Sequence, residues 1–332
     1  MYTPNASLQQ LESLTPVELD AGTVFSGTPS GRMIRGYAQP TAYTPKVDPL
    51  YQFHESMRDP AVWFLNPSDP LYVFGPTGSG KTSLIKQLAA RLNFPVFCVN
   101  AHGRLEFQDL VGHLSVQQGS MAYQYGPLAL AMRHGGLFLL DEFDLLDPST
   151  AAGLNSILDG SPLCIPENGG EIIEPHEMFR FVATANTNGG SDETGLYQGT
   201  LRQNLAAMDR FVLCEVGYPT PLIEQHILER SAPALPTELR ELMVKFANEV
   251  REKFMGEGEG AIEVTFSTRS LIRWADLTLR FQPVARQGLQ PVMYALDRAL
   301  AFRACRETRA MLHELAQRYF SLETDLGEPL GA

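Results

Sequence analysis

The stretch LYVFGPTGSGKTSLIKQL, residues 71–88, restricts the folds open to this chain more than any other. GPTGSGKT matches GxxxxGK[ST] from Gly75 to Thr82, directly after an apolar run that reads as a strand and directly before SLIKQLAARL, which reads as a helix. Strand, glycine loop and helix in that order make a phosphate cradle. The glycines let backbone N–H groups turn inward, and the helix adds the positive end of its dipole. In this reading Gly75, Pro76, Thr77, Gly78, Ser79 and Gly80 wrap the phosphates of ATP. Lys81 reaches the β- and γ-phosphates, Thr82 ligates Mg2+, and Ser83 follows in the first helical turn.

Such a loop needs a parallel sheet around it. Between residues 60 and 217, LYVF, PVFCVN, LFLLDE, FRFVATAN and RFVLCEV read as five buried parallel strands alternating with helices. From 218 onward helices replace strands. Thr220 is the N-cap of the first, with Pro221 at its first position. Leu239, Leu242, Met243, Phe246, Val250 and Phe254 repeat at helical spacing, GEGEG at 256–260 reads as a loop, and a long helix is predicted from Pro291. Residues 1–59, rich in Pro, Thr, Ser and Gly, read as a partly extended arm that docks on something else. The organisation is thus an arm (1–59), an α/β domain (60–217) and a small all-helical domain (218–332).

Composition narrows the class further. The chain is 44% hydrophobic and 19% charged, as for a globular protein with cores of its own. No apolar run reaches membrane-spanning length and the N-terminus does not read as a signal peptide, which points to the cytoplasm and away from a membrane. Cys98, Cys164, Cys214 and Cys305 are too scattered for a metal site and read as buried small hydrophobes. A net charge of −12 lacks the basic excess of a phosphate-backbone binder, so nucleic acid is a poor partner.

The second chemical motif is GGLFLLDEFDLLDP. Leu137 to Leu140 form a buried strand that delivers Asp141 and Glu142 to the carboxyl edge of the sheet, where α/β proteins bind ligands. Asp141 would hold the Mg2+ shell and Glu142 would activate water for attack on the γ-phosphate. A kinase has no use for such a base. Asp147 and Pro148 then cap a helix, STAAGLNSILDG, whose apolar face is core. SPLCIPENGGEIIEPHEMF reads as a β-hairpin, with His176 a surface or hinge residue. The strand FRFVATAN ends in Asn186, an amide placed to orient the water. FQDLVGHLSVQQGSMAYQYGPLALAM reads as a second hairpin. Its His113, Tyr123 and Tyr125 either pack against a sheet face or meet a partner.

Together, the P-loop, the DE-type strand end, the hairpin before ATAN, then MDRF and STRS resemble an AAA+ ATPase of the MoxR branch. The resemblance covers about residues 60–332. The segment FRFVATANTNGGSDETGLYQGTLRQNLAAMDRF is most similar to the ATPase subunits of aerobic cobaltochelatase, the CobS type. The family implies an AAA+ core with a helical lid and a hexameric ring. It also implies that Asn186 is sensor 1, Arg210 the arginine finger, Arg269 sensor 2, and Asn100 a polar switch on the catalytic glutamate.

The residues themselves leave alternatives open. Arg210 precedes its strand while the P-loop follows one, so the two lie at opposite ends of the domain and a finger there serves a neighbouring subunit. The other reading is a surface arginine paired with Asp209. Arg269, in the first turn of a helix, opposes the helix dipole unless a phosphate compensates.

Two function classes follow. One is a motor that drives cobalt insertion into a corrin ring, working with a large chelatase subunit and a CobT-like protein carrying a von Willebrand factor A domain. The other is a MoxR-type chaperone acting with a von Willebrand-type partner outside cobalamin synthesis. A helicase or clamp loader fits the acidic balance poorly.

Overall fold

The structure, a computed structural model, describes residues 6–65, 67, 69–117, 119–190, 197, 199–255 and 264–320. The chain divides into two compact units. The α/β unit runs to Pro49 and takes in Glu55–Pro76 and Gly80–Gly217. The helical unit takes in Leu50–His54, Thr77–Ser79 and the chain from Tyr218 onward.

In the α/β unit, β1 (Pro16–Asp20) and β2 (Met33–Tyr37) form an antiparallel pair. The main sheet consists of β3 (Leu71–Phe74), β4 (Val96–Asn100), β7 (Leu137–Asp141), β10 (Arg180–Ala185) and β11 (Val212–Glu215), in the order β11-β3-β10-β7-β4. Every pairing in it is parallel. Leu71, Tyr72 and Val73, like Leu137 to Leu140, are buried on both faces, so these runs show no alternation. A ring cluster sits behind the site: Tyr72 meets Phe143 and Phe211 edge-on, with centroids 5.7 and 5.6 Å away.

Two hairpins complete the unit, β5–β6 (Gly112–Gln117 and Ser120–Tyr125) and β8–β9 (Leu163–Ile165 and Glu171–Ile173). A polar knot joins them. Tyr125 Oη donates to Glu171 Oε2 at 2.7 Å, Asn168 Nδ2 donates to the same oxygen at 2.6 Å, and Arg133 pairs with Glu171. Tyr123 and Tyr125, both half-buried, pack on each other and on the core. His113 is exposed.

The N-terminal segment departs from the expected arm. It folds onto its own α/β unit: Tyr37 N donates to Leu92 O at 2.9 Å, Tyr43 stacks on Phe97, and Ile34 and Tyr37 are about 1% exposed. The reason is nonlocal. PVELD and MIRGY bury little separately, but paired they bring Tyr37 to Leu92, just past the helix Lys81–Arg91, and edge-on to Phe94. The helix after Asp147 is also broken, into Pro148–Gly153 and Asn155–Leu158.

The helical unit packs Pro221–Ser231, Thr237–Met255, Thr268–Arg280, Pro291–Ala299 and Arg306–Phe320 around Phe246, Phe266, Trp274 and Phe320. The long helix expected from Pro291 breaks at Leu300, where a short turn lets Arg306–Phe320 fold back on the same core. Residues 256–263, with the GEGEG run, lie outside the described residues, as does most of TGLYQGT. Among the described residues no helix is long and apolar enough to cross a membrane.

Candidate functional site

The loop after β3 owes its path to glycine. Gly75 has φ +146°, and a Cβ there would stand 2.2 Å from Val216 O, so any side chain would push the loop off β11. Gly80, in the left-handed region, precedes the helix Lys81–Arg91, and no side chain caps that helix. Its first-turn N–H groups are therefore left for an anion.

Lys81 is 8% exposed. Its ammonium donates to Gly75 O and Pro76 O, both at 2.9 Å, and to Asn186 Oδ1 at 3.2 Å. Burial pushes its pKa down to about 8, opposed by the negative charges of Asp144, Asp141 and Glu142. Thr82 Oγ1 donates to Asp141 Oδ1 at 2.7 Å, and Thr184 Oγ1 donates to the same oxygen. A hydroxyl and a carboxylate held together beside a phosphate-binding lysine are hard oxygen donors, the set that Mg2+ takes when phosphates and water complete its shell.

Glu142 follows Asp141 with φ 60° and ψ 42°, the left-handed region. That sharp turn swings its carboxylate out of the strand line to an exposed position. Partial desolvation, then Asp141 and Asp144, raise its pKa above the ordinary glutamate value, the direction that suits a base.

The structure thus pairs Lys81 with Asn186 and the adjacent Thr82 with Asp141, with Glu142 next in the chain. Asn100 ends β4 directly opposite Asp141, so it stands in the same row of strand ends. Ser83 is exposed on the first helical turn.

Arg210 is elsewhere in the α/β unit. It lines a cleft of about 700 Å³ together with Pro70, which precedes β3, and Arg180, which begins β10. This is the amino edge of the sheet, opposite the P-loop. Its partner is Asp159, not the Asp209 of the alternative reading: Nε and Nη2 donate to the two carboxylate oxygens at 2.7 and 3.0 Å. That bond raises the arginine's pKa.

Arg269 lies in the helical unit, exposed, at the second position of the helix Thr268–Arg280. Ser267 caps that helix by accepting from Ser270 N. Within the same unit the loop tip packs against this cap, and a Cβ on Gly78 would come 2.1 Å from Ser267 Cβ.

Sequence reasoning missed two residues that hold the site together, Thr184 on Asp141 and Asp144 on the chain after β10. The signal for Asp144 was present. An acid inside EFDLLDP, between Phe143 and Leu145, is a charge in an apolar run, and such a charge goes inside only with work to do.

Comparison with known proteins agrees with this geometry. Residues 70–202 match the AAA domain of the dynein-related subfamily, and residues 224–319 match the CbbQ/NirQ/NorQ C-terminal family. The chain belongs to the AAA+ ATPases. It binds nucleotide and hydrolyses ATP, and within that class it is of the MoxR type and resembles CobS. The aerobic cobaltochelatase subunit CobS of a Sinorhizobium species is 29% identical over 329 residues, covering 93% of this chain and 96% of that one. The uncharacterized protein YojN of Bacillus subtilis is 30% identical over 215 residues, 63% of this chain and 67% of that one. Among solved structures, a Thermotoga maritima RuvB mutant aligns with a TM-score of 0.47 at 16% identity, over 76% of this chain and 73% of that one, too loosely to carry an argument.

Proposed function

We propose that this ATPase is the motor subunit of a larger assembly: a hexameric ring that uses ATP binding and hydrolysis to remodel a partner protein, in the manner of a cobaltochelatase. The observation that carries this reading is likeness to CobS over nearly the full length of both chains. A likeness confined to the nucleotide-binding region would support only a generic ATPase.

In this reading Lys81 and the loop hold the triphosphate, and Thr82 and Asp141 hold Mg2+, which would screen the phosphate charge. Glu142 takes the proton of the attacking water, and Asn186 orients that water. Arg210, on the far edge of the sheet from Lys81, serves the site of the next subunit, which makes a ring a condition of turnover. Arg269 reads the nucleotide from the lid, and Asn100 restrains Glu142. The partners are a large chelatase subunit and a CobT-like protein with a von Willebrand factor A domain, and cobalt is cargo handled there.

The test is capture from the native host with tagged Glu142→Gln protein, in ATP, in ADP and without nucleotide. Recovery of a large chelatase subunit in ATP alone is the expected result. Capture that ignores the nucleotide would end the motor reading. Recovery of a von Willebrand-type protein with no chelatase subunit would move the chain out of cobalt chemistry. The ring is tested by mixing Arg210→Ala with Glu142→Gln subunits: each alone is inactive, and mixed rings are expected to recover part of the turnover.

A further inference from the structure

We infer that Asp144 is a positioning residue for ATP hydrolysis: its buried carboxylate locks the turn that presents Glu142 to the strand end that presents Asn186. The inference rests on the roles proposed above for Glu142 and Asn186.

The geometry is specific. Asp144 is 0% exposed, in the short turn Phe143–Leu145 that begins right after Glu142. One oxygen, Oδ2, accepts from Asn186 N at 2.9 Å, Thr187 N at 3.0 Å and Thr187 Oγ1 at 3.2 Å. Those two backbone donors are where the chain leaves β10, beyond the last strand pairing, so no neighbouring strand supplies their acceptors. The backbone of the turn is held too. Asp144 O accepts from Leu201 N at 2.7 Å, and Leu146 O accepts from Gln203 Nε2 at 3.0 Å.

The result is a continuous chain of contacts. Glu142 O accepts from Leu145 N at 2.8 Å, closing the turn on one side of Asp144. On the other side Asp144 fixes the backbone of Asn186, whose Oδ1 meets Lys81 Nζ. A shift of Asp144 therefore displaces Glu142 and Asn186 relative to each other, while Lys81 keeps its bonds to Gly75 O and Pro76 O. Binding and chemistry should separate.

The carboxylate is an expensive way to accept three bonds. Among the described residues no cation bonds to it, although its charge helps to keep Lys81 protonated, and its second oxygen, Oδ1, has no hydrogen-bond partner. That orphan oxygen suggests the decisive substitution. In Asp144→Asn the amide oxygen can take every bond of Oδ2 while the amide nitrogen takes the place of Oδ1, so the register survives and the charge does not. Asp144→Glu does the reverse, keeping the charge and displacing it by one methylene.

The experiment compares Asp144→Asn, Asp144→Glu and Asp144→Ala with wild type, measuring kcat and KM for ATP, the Kd of a fluorescent ATP analogue, and thermal melting. Asp144→Ala and Asp144→Glu are expected to lose kcat by about 30-fold or more, with Kd changed by about 3-fold at most, because an ångström of misplacement at the reacting groups is enough for that. Asp144→Asn is expected to recover most of the lost turnover.

The idea is overturned if folded Asp144→Asn is as slow as Asp144→Ala, if Asp144→Glu turns over like wild type, or if affinity for ATP falls along with kcat. Should Asp144→Ala and Asp144→Glu not fold, the kcat of Asp144→Asn decides alone: retained turnover supports the register and lost turnover sinks it. Glu142→Gln is run alongside. Turnover in that variant would refute the role given to Glu142, a result distinct from any ordering of the Asp144 series.

Discussion

Among the described residues each unit buries one carboxylate completely, and the two are treated in opposite ways. Glu224, in the helical unit, is 0% exposed and fully neutralised. Arg251 Nη1 and Nη2 donate to its two oxygens, each at 2.7 Å, and Thr268 Oγ1 adds a third bond at 3.1 Å. The arginine is equally satisfied, with Nε on Phe266 O at 2.6 Å and its plane 4.3 Å from the Tyr218 ring. Asp144, in the α/β unit, has no such cation and one unpartnered oxygen. A closed pair ties three stretches of helix together and has nothing left to give. An open carboxylate is tolerable where its bonds hold reacting groups in place. Burial of an acid is therefore no guide to its purpose until its partners are counted.

If that contrast is right, damage to the α/β site costs rate and damage to the helical pair costs stability. The largest expected effect is on Glu142→Gln. Turnover falls by roughly 10²–10⁴-fold with ATP still bound and the melting temperature not lowered; kinetics and calorimetry on the same sample check both halves. A Glu142→Gln protein that melts much earlier would blur the division.

Next in size is Arg251→Ala, which strands Glu224 and is expected to destabilise the helical unit by about 3–5 kcal/mol, read from urea unfolding followed by the fluorescence of Trp274. Replacing both partners, Glu224→Leu with Arg251→Met, is expected to return most of that loss. If the double variant is no better than the single one, the pair does more than neutralise itself. The smallest effect is Ser267→Ala. It removes the cap of Thr268–Arg280 and is expected to cost about 1 kcal/mol of the same unfolding transition. No measurable change would mean that packing against Gly78, not capping, holds that helix start.

What the sequence allowed one to read divides along similar lines. The five strands, the P-loop and the cap at Asp147 are local signals, carried by apolar runs and residue types whose conformational preferences act within a few positions; Thr220 takes the expected N-cap position, but its side chain makes no cap hydrogen bond. Asp141 and Lys81 were legible because motif spacing fixes them. The fold of residues 6–49 was not, since Tyr37 packs its ring on Phe94 and donates to Gly135 O, both more than fifty residues away. Nor was Asp159, whose bond to Arg210 spans 51 positions without any local mark. Asp144 was missed for a different reason. Its neighbours Asp141, Glu142 and Asp147 carry motif or cap positions, whereas the donors that Asp144 serves, Asn186 and Thr187, lie more than forty residues on.

The backbone of Glu142 has an evolutionary consequence. A glutamate in the left-handed region costs roughly 1 kcal/mol that an asparagine, at home there, would largely avoid. Selection for sturdiness alone would drift away from glutamate at this position, towards proteins that outlast the working one and do nothing. A thermostability screen of this chain, run without an assay for turnover, is therefore a procedure for finding its dead relatives.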